Sequence, residues 1–187
     1  YLMKYGIRDH RGGGRSSGRE TASRVAAGAI AKKILREKNI HIVAYTLAVG
    51  DIYSKTKDFT VIERNPVRAP DMEAAERMLQ KIEEARKNLD SVGGIVEAVV
   101  HGCPPGLGDP VFDKLNARLS YALMSIGAIC GIEFGKGFKS AEMLGSQHND
   151  KFFMDGQKIR PRTNHAGGIM GGISTGEDII LRLGVKP

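Results

Sequence analysis

The chain has 187 residues, 41% of them hydrophobic, which is enough for one domain with a real core. Two cysteines are too few for a disulfide framework and no apolar run approaches membrane-spanning length, so disulfide-stapled and membrane-spanning classes are set aside and a reducing cytoplasm is expected. A formal net charge of +7 points to an anionic partner without separating nucleic acid from a phosphorylated metabolite.

The first informative stretch is Arg11-Gly12-Gly13-Gly14-Arg15-Ser16-Ser17-Gly18-Arg19-Glu20. Three glycines expose backbone N–H groups, arginines flank them, and a helix over 20–38 follows, with Ala22, Val25, Ala26, Ala29 and Ile30 at helical intervals. Ser17 and Glu20 have capping-box spacing. Such a loop feeding a helix N-terminus is suited to phosphate or carboxylate. Were the helix to begin by Arg15, Arg15 and Arg19 would point the same way. A P-loop is excluded, because Arg19-Glu20 stands where Lys and Ser/Thr are required. An arginine–glycine RNA-binding tail is the bland reading, but such tails repeat the motif and lack an adjoining apolar helix.

Ile40 to Val49 reads as a strand, and 51–70, ending in Pro66 and Pro70, as a loop. Asp71 caps a helix over 72–88 whose stripe is Met72, Ala75, Met78, Leu79, Ile82 and Ala85. Gly93-Gly94 opens a strand through Val100, and the stiff turn 101–108 follows. Asp109-Pro110 supplies an N-cap and first-turn proline for a third helix over 110–127, with a strand at 128–134. After a glycine-punctuated region, 135–163, residues 169–173 and 179–183 are expected to pair as a hairpin around Ser174 to Glu177. The order argues for mixed helix and sheet, with parallel or antiparallel pairing left open.

None of the five histidines stands at metal-ligand spacing, so no zinc site is expected. His41 reads as structural. His101 with Cys103 could form a nucleophile pair, although an inert thiol is the better reading. His10, beside the arginine loop, is the acid–base candidate by position. Thr163 to Gly168, continuing to Gly172, is a second glycine-rich segment that admits close backbone approach. These residues describe an anion-binding protein; they do not specify a reaction.

Four blocks then resemble one family. Lys4-Tyr5-Gly6 through Gly13-Gly14-Arg15-Ser16-Ser17-Gly18-Arg19-Glu20-Thr21, Gly102 through Asp113, Met124-Ser125-Ile126-Gly127-Ala128, and Asn164 to Ile169 with Gly171 to Ser174 resemble chorismate synthase, in family order and across nearly the whole chain. The resemblance implies an α+β fold with helices sandwiched between antiparallel β-sheets, one domain over 1–187 within a larger catalytic unit, and a cytoplasmic homotetramer. It implies a lyase of the shikimate pathway that removes phosphate from 5-enolpyruvylshikimate 3-phosphate by 1,4-elimination. Reduced FMN is the implied cofactor, without net redox change, and NADP an accompanying nucleotide.

Carried over by position, Arg15, Ser16 and Ser17 match a flavin-contacting segment, Gly127 and Ala128 a second, Gly171 a third, and Lys186 and Pro187 the start of a fourth. Arg19 matches an arginine that grips substrate. The family's acid–base histidines lie upstream of Lys4-Tyr5-Gly6, so no catalytic residue is assigned here, and His10 stands where relatives often carry tyrosine. Cys130 stands where many carry lysine. The chain, opening at Tyr1-Leu2, reads as a central fragment incapable of turnover alone. The alternative is a basic RNA-binding module using the arginine–glycine segment.

Overall fold

The computed structural model describes the backbone of residues 1–187 and every side chain except that of Arg15. A four-residue helix, α1 (Leu2–Tyr5), and two 3-10 turns, Gly14–Ser16 and Gly18–Glu20, precede α2 (Thr21–Glu37). Then come β1 (His41–Val49), the two-residue β2 (Ile52–Tyr53), a 3-10 turn Phe59–Arg64, α3 (Met72–Lys87) and β3 (Gly94–His101). The second half holds α4 (Leu115–Met124), β4 (Ile129–Phe134), a 3-10 turn Gly137–Glu142, α5 (Gly145–His148), β5 (Phe152–Asp155), β6 (Lys158–Pro161), β7 (Ile169–Met170), β8 (Ile173–Ser174) and β9 (Ile179–Val185).

Five strands form one sheet in the order β2-β1-β3-β9-β4, every neighbouring pair antiparallel. With two further two-stranded ladders, β5-β6 and β7-β8, this is the α+β architecture that the resemblance implies. The β-branched residues of β1, β3 and β9 suit a sheet covered on both faces. On one face Tyr45, Val99 and Ile62 pack together with Val43, Leu47 and Ile180. On the other, Ile169, Ile179 and Cys103 pack against Val100, Leu115, Leu119 and Phe134, which seats α4. A third cluster sets Ala74, Ala75 and Met78 of α3 on Val49 and Ala69. Asp71 caps α3 as expected: its Oδ1 accepts the Ala74 N–H at 3.0 Å.

The structure corrects several sequence expectations. Residues 179–185 do not pair with 169–173. Ile169 and Met170 turn back on Ile173 and Ser174, while β9 runs between β3 and β4. An unbroken apolar strand competes better for the sheet centre than for a hairpin with a short glycine-rich partner. The third helix begins at Leu115, not Pro110. The Asp109 N–H bonds to Asp113 O, which closes a turn, and the Leu115 N–H is satisfied by Gly172 O at 2.7 Å. The loop 51–70 carries β2 and a 3-10 turn.

The start of α2 also differs. Ser17 Oγ accepts from the Arg19 N–H at 3.3 Å, but the Glu20 carboxylate turns away to Arg24, so the reciprocal half of the capping box does not form. The α-helix starts only at Thr21, which removes the condition for Arg15 and Arg19 to share a helical face; the Arg15 side chain lies outside the described residues. The apolar stripe of α2 faces outward, with Val25 72%, Ile30 65% and Ile34 58% exposed, and none of its described residues is buried.

Candidate functional site

Residues 8–20 fold into a loop that bounds a concavity of about 660 Å³, lined among others by Arg8, His10, Gly12, Gly13, Gly14 and Ser16. The loop is held locally. Ser16 Oγ donates to Gly13 O at 2.6 Å, the Ser16 and Ser17 N–H groups bond to Gly13 O and Gly14 O, and Thr21 Oγ1 donates to Gly18 O. Gly14 adopts φ +53, and a Cβ there would meet nothing within 4 Å, so the backbone is open to close approach. Arg19 is exposed and its Nε donates to Ser17 Oγ at 3.0 Å. A Cβ on Gly12 would lie 3.7 Å from Arg19 Nη2, so the guanidinium curls back beside the glycine run. Arg11 is spoken for: Nε and Nη2 donate to Asp9 at 3.0 and 2.9 Å, and those bonds hold the Asp9 carboxyl below its ordinary value.

The second stretch follows α4. Ser125 closes the helix, and Ala128 takes φ +70, a left-handed conformation that costs a non-glycine residue about 1–2 kcal/mol. Its carbonyl accepts the Lys186 N–H at 3.0 Å, and Pro187 packs over Gly93. So Ala128 and Lys186, 58 positions apart, are joined directly. A Cβ on Gly127 would meet nothing within 4 Å.

Arg24, which no sequence motif singled out, connects the two stretches. It is fixed by Glu20 at 2.8 Å and reaches across to Ser125, donating from Nη1 to Oγ at 2.8 Å and from Nη2 to the carbonyl at 3.2 Å. Gly171 is not brought into this group. It turns between β7 and β8, and its neighbour Gly172 receives the N-terminus of α4, whose ten residues put about 15 Å between that end and the Ser125 end.

The other candidates are structural or unsupported. Burial raises the pKa of Cys103, and His101 pairs with Asp178 at 3.0 Å, so no Cys–His nucleophile forms among the described residues. Cys130 is exposed and its thiol donates to Gly184 O at 3.4 Å. His10 is exposed on the rim of the concavity with no described hydrogen-bond partner. His165 belongs to an anchor: buried Asp150 accepts from Thr163 Oγ1 and from the His165 and Ala166 N–H groups. Among the described residues no group of three metal-ligating side chains occurs.

Sequence reasoning passed over the most deeply buried charge. Glu97, 1% exposed, accepts from Tyr45, Lys57 and Arg182, and Arg182 also reaches Glu133 at 2.8 Å. Burial opposes ionisation of Glu97, but hydrogen bonds from Lys57 and Tyr45 with the Lys57 and Arg182 charges outweigh it and hold its pKa below the ordinary value. The signal was a single carboxylate inside the apolar run Ile95 to Val100.

The chain is thus an antiparallel α+β protein that presents an exposed glycine–serine loop, joined through Arg24 to the C-terminus of α4. The chain belongs to the chorismate synthase family: the family model described as chorismate synthase matches residues 1–187. It is similar to chorismate synthase of Methanococcoides burtonii, 54% identical over all of this chain and 52% of that protein. Chorismate synthase of Roseiflexus castenholzii is likewise 54% identical, over 99% of this chain and 52% of the relative. A crystal structure of chorismate synthase superposes with a TM-score of 0.91 at 34% identity, covering all of this chain and 61% of the other. The chain thus spans about half the length of the relatives it matches. Nothing in these comparisons supports the RNA-binding alternative.

Proposed function

We propose that the protein carrying this chain is a chorismate synthase, converting 5-enolpyruvylshikimate 3-phosphate to chorismate and phosphate by 1,4-elimination, as a homotetramer in the cytoplasm. Family membership over residues 1–187 supports the activity, and one observation carries the site: Ala128 bonds to Lys186 while Ser125 bonds to Arg24, so stretches distant in sequence converge.

The donor set fits FMN. The Ser17 hydroxyl and, by the family match, Arg15 would offer hydrogen bonds to a phosphate, and the bare backbone at Gly14 and Gly127 leaves room for a flat ring. Arg15, Ser16, Ser17, Gly127, Ala128, Lys186 and Pro187 would hold the cofactor, with Gly171 approaching from another direction. Reduced FMN, when bound, supplies electron density to the allylic system as phosphate departs and recovers it when the ring proton is lost. Arg19 binds the substrate, which carries two carboxylates and a phosphate: its guanidinium offers paired donors to a carboxylate or phosphate. The proton-transfer groups are expected outside residues 1–187.

The intact protein with reduced FMN should release phosphate from the substrate, and chorismate should accumulate at the same rate. Arg19→Ala should weaken substrate binding about ten- to hundred-fold while leaving FMN affinity nearly unchanged. An unaltered KM in that variant removes Arg19 from the role assigned to it. Absence of phosphate release by the unsubstituted protein with reduced FMN refutes the activity itself.

A further inference from the structure

We infer that Arg24 is a positioning residue that holds the helix C-terminus at Ser125–Ala128 in register with the Ser16–Arg19 loop, so that two parts of the flavin site are presented together. The inference rests on the flavin reading above and adds a residue to it.

Within this chain the loop and α2 make few contacts with the rest of the fold. None of the described residues of α2 is buried, its apolar stripe looks outward, and within this chain only its C-terminal turn, at Leu35 and Arg36, packs beside β1. Among the described residues, the two Arg24–Ser125 bonds are the only hydrogen bonds or ion pairs that join residues 1–34 to anything beyond residue 40. One side chain therefore carries the polar connection between the loop and the rest of the site.

That side chain is built for the task. Glu20 accepts from Nε and so fixes the plane of the guanidinium; the two terminal nitrogens then meet Ser125 Oγ and Ser125 O. Ser125 Oγ is in turn committed as a donor to Ala122 O at 2.6 Å, which leaves its lone pairs aimed at the arginine. A cation on the terminal carbonyls of α4 is also favoured by the helix dipole. Two residues further on begins the Gly127-Ala128 backbone, whose far side is pinned by Lys186. With Arg24 at one end and Lys186 at the other, the 125–128 segment has little freedom.

A fork of this kind distinguishes geometry from charge. Lysine keeps the charge but cannot meet Glu20 and both Ser125 atoms together.

The test uses the intact protein and FMN, titrated by flavin fluorescence and visible absorbance. Arg24→Gln should weaken FMN binding about ten-fold and blur the fine structure of the bound-flavin spectrum. Arg24→Lys should recover only part of that loss. Ser125→Ala should weaken binding a few-fold, and the double variant R24Q/S125A should be no worse than R24Q alone, because both act through one contact. Wild-type affinity in R24Q, full recovery in R24K, or losses that multiply in the double variant would overturn the inference. Should R24Q fail to fold, R24K and S125A still give the comparison. Failure of the unsubstituted protein to bind FMN sinks the flavin reading itself and the inference with it.

Discussion

At Asp71 one carboxylate serves two segments: Oδ1 accepts the Ala74 N–H at the start of α3, and Oδ2 accepts the N–H groups of Lys55 and Thr56 at 2.9 and 3.1 Å. These bonds, that from Ala74 first, pull its pKa from 3.8 to about 2. The folded carboxyl being the stronger acid, its stabilisation is fully present above 3.8 and is lost as pH falls towards about 2. Asp71→Ala should cost about 2 kcal/mol at neutral pH and flatten the decline of stability between pH 4 and 2, measured by urea unfolding across that range. The residue was legible as a cap because the N-cap bond is local in sequence. Its grip on Lys55 and Thr56 was not, since nothing in the order of residues shows that the 51–70 segment folds back over α3. Arg24 is the same case: its spacing from Glu20 is plain, but Ser125 lies 101 positions away.

The placement of α4 turns on two glycines that look alike in the sequence. Gly106 and Gly108 both have positive φ, +97 and +114. Around Gly106 a Cβ meets nothing within 4 Å, whereas at Gly108 it would fall 2.2 Å from Gly172 O, the carbonyl that receives the Leu115 N–H. Gly106→Ala should therefore cost about 1 kcal/mol of conformational strain. Gly108→Ala should cost more than about 2 kcal/mol, because it also pushes apart the backbone junction between α4 and the Gly171-Gly172 turn. Equal thermal shifts in the two variants would show that close approach contributes nothing. The same junction explains the late start of the third helix. Asp109-Pro110 is a sound local start signal, but a tertiary carbonyl satisfies the first helical N–H five residues later. At α2, likewise, the periodicity marked a helix, but only the fold shows that its apolar stripe looks outward in this chain. Period reports which residues share a face; it does not report what the face meets.

Across the whole molecule the sheet is tied by a charged row running through four strands, Tyr45–Glu97–Arg182–Glu133, each residue opposite the next in the antiparallel register. Arg182 adds a bond to Gly135 O at 2.9 Å, and Lys57 reaches in from the loop after β2. Glu97→Ala should destabilise the protein by about 2–3 kcal/mol, because buried Tyr45 and partly buried Arg182 lose a partner, while Arg182 keeps Glu133 and Lys57 is half exposed to water. Glu97→Gln should cost less, since the shape and two hydrogen bonds survive. A loss below 1 kcal/mol for the alanine variant, read by denaturant unfolding, would mean the row is ornamental.

The sequence by itself determined the identity and approximate bounds of the main helices and of strands β1, β3, β4 and β9, the cap at Asp71, and the family to which the chain belongs. These rest on short-range patterns: hydrophobic period, cap chemistry and motifs of consecutive residues. Only the tertiary structure decided that β9 lies between β3 and β4, that Glu97 is sealed beneath a row of partners, and that Arg24 and Lys186 clasp the 125–128 segment while Gly171 stands apart. Pairings across 52 to 101 residues depend on which surfaces win the competition for burial and hydrogen bonding, and that competition is settled by the fold as a whole.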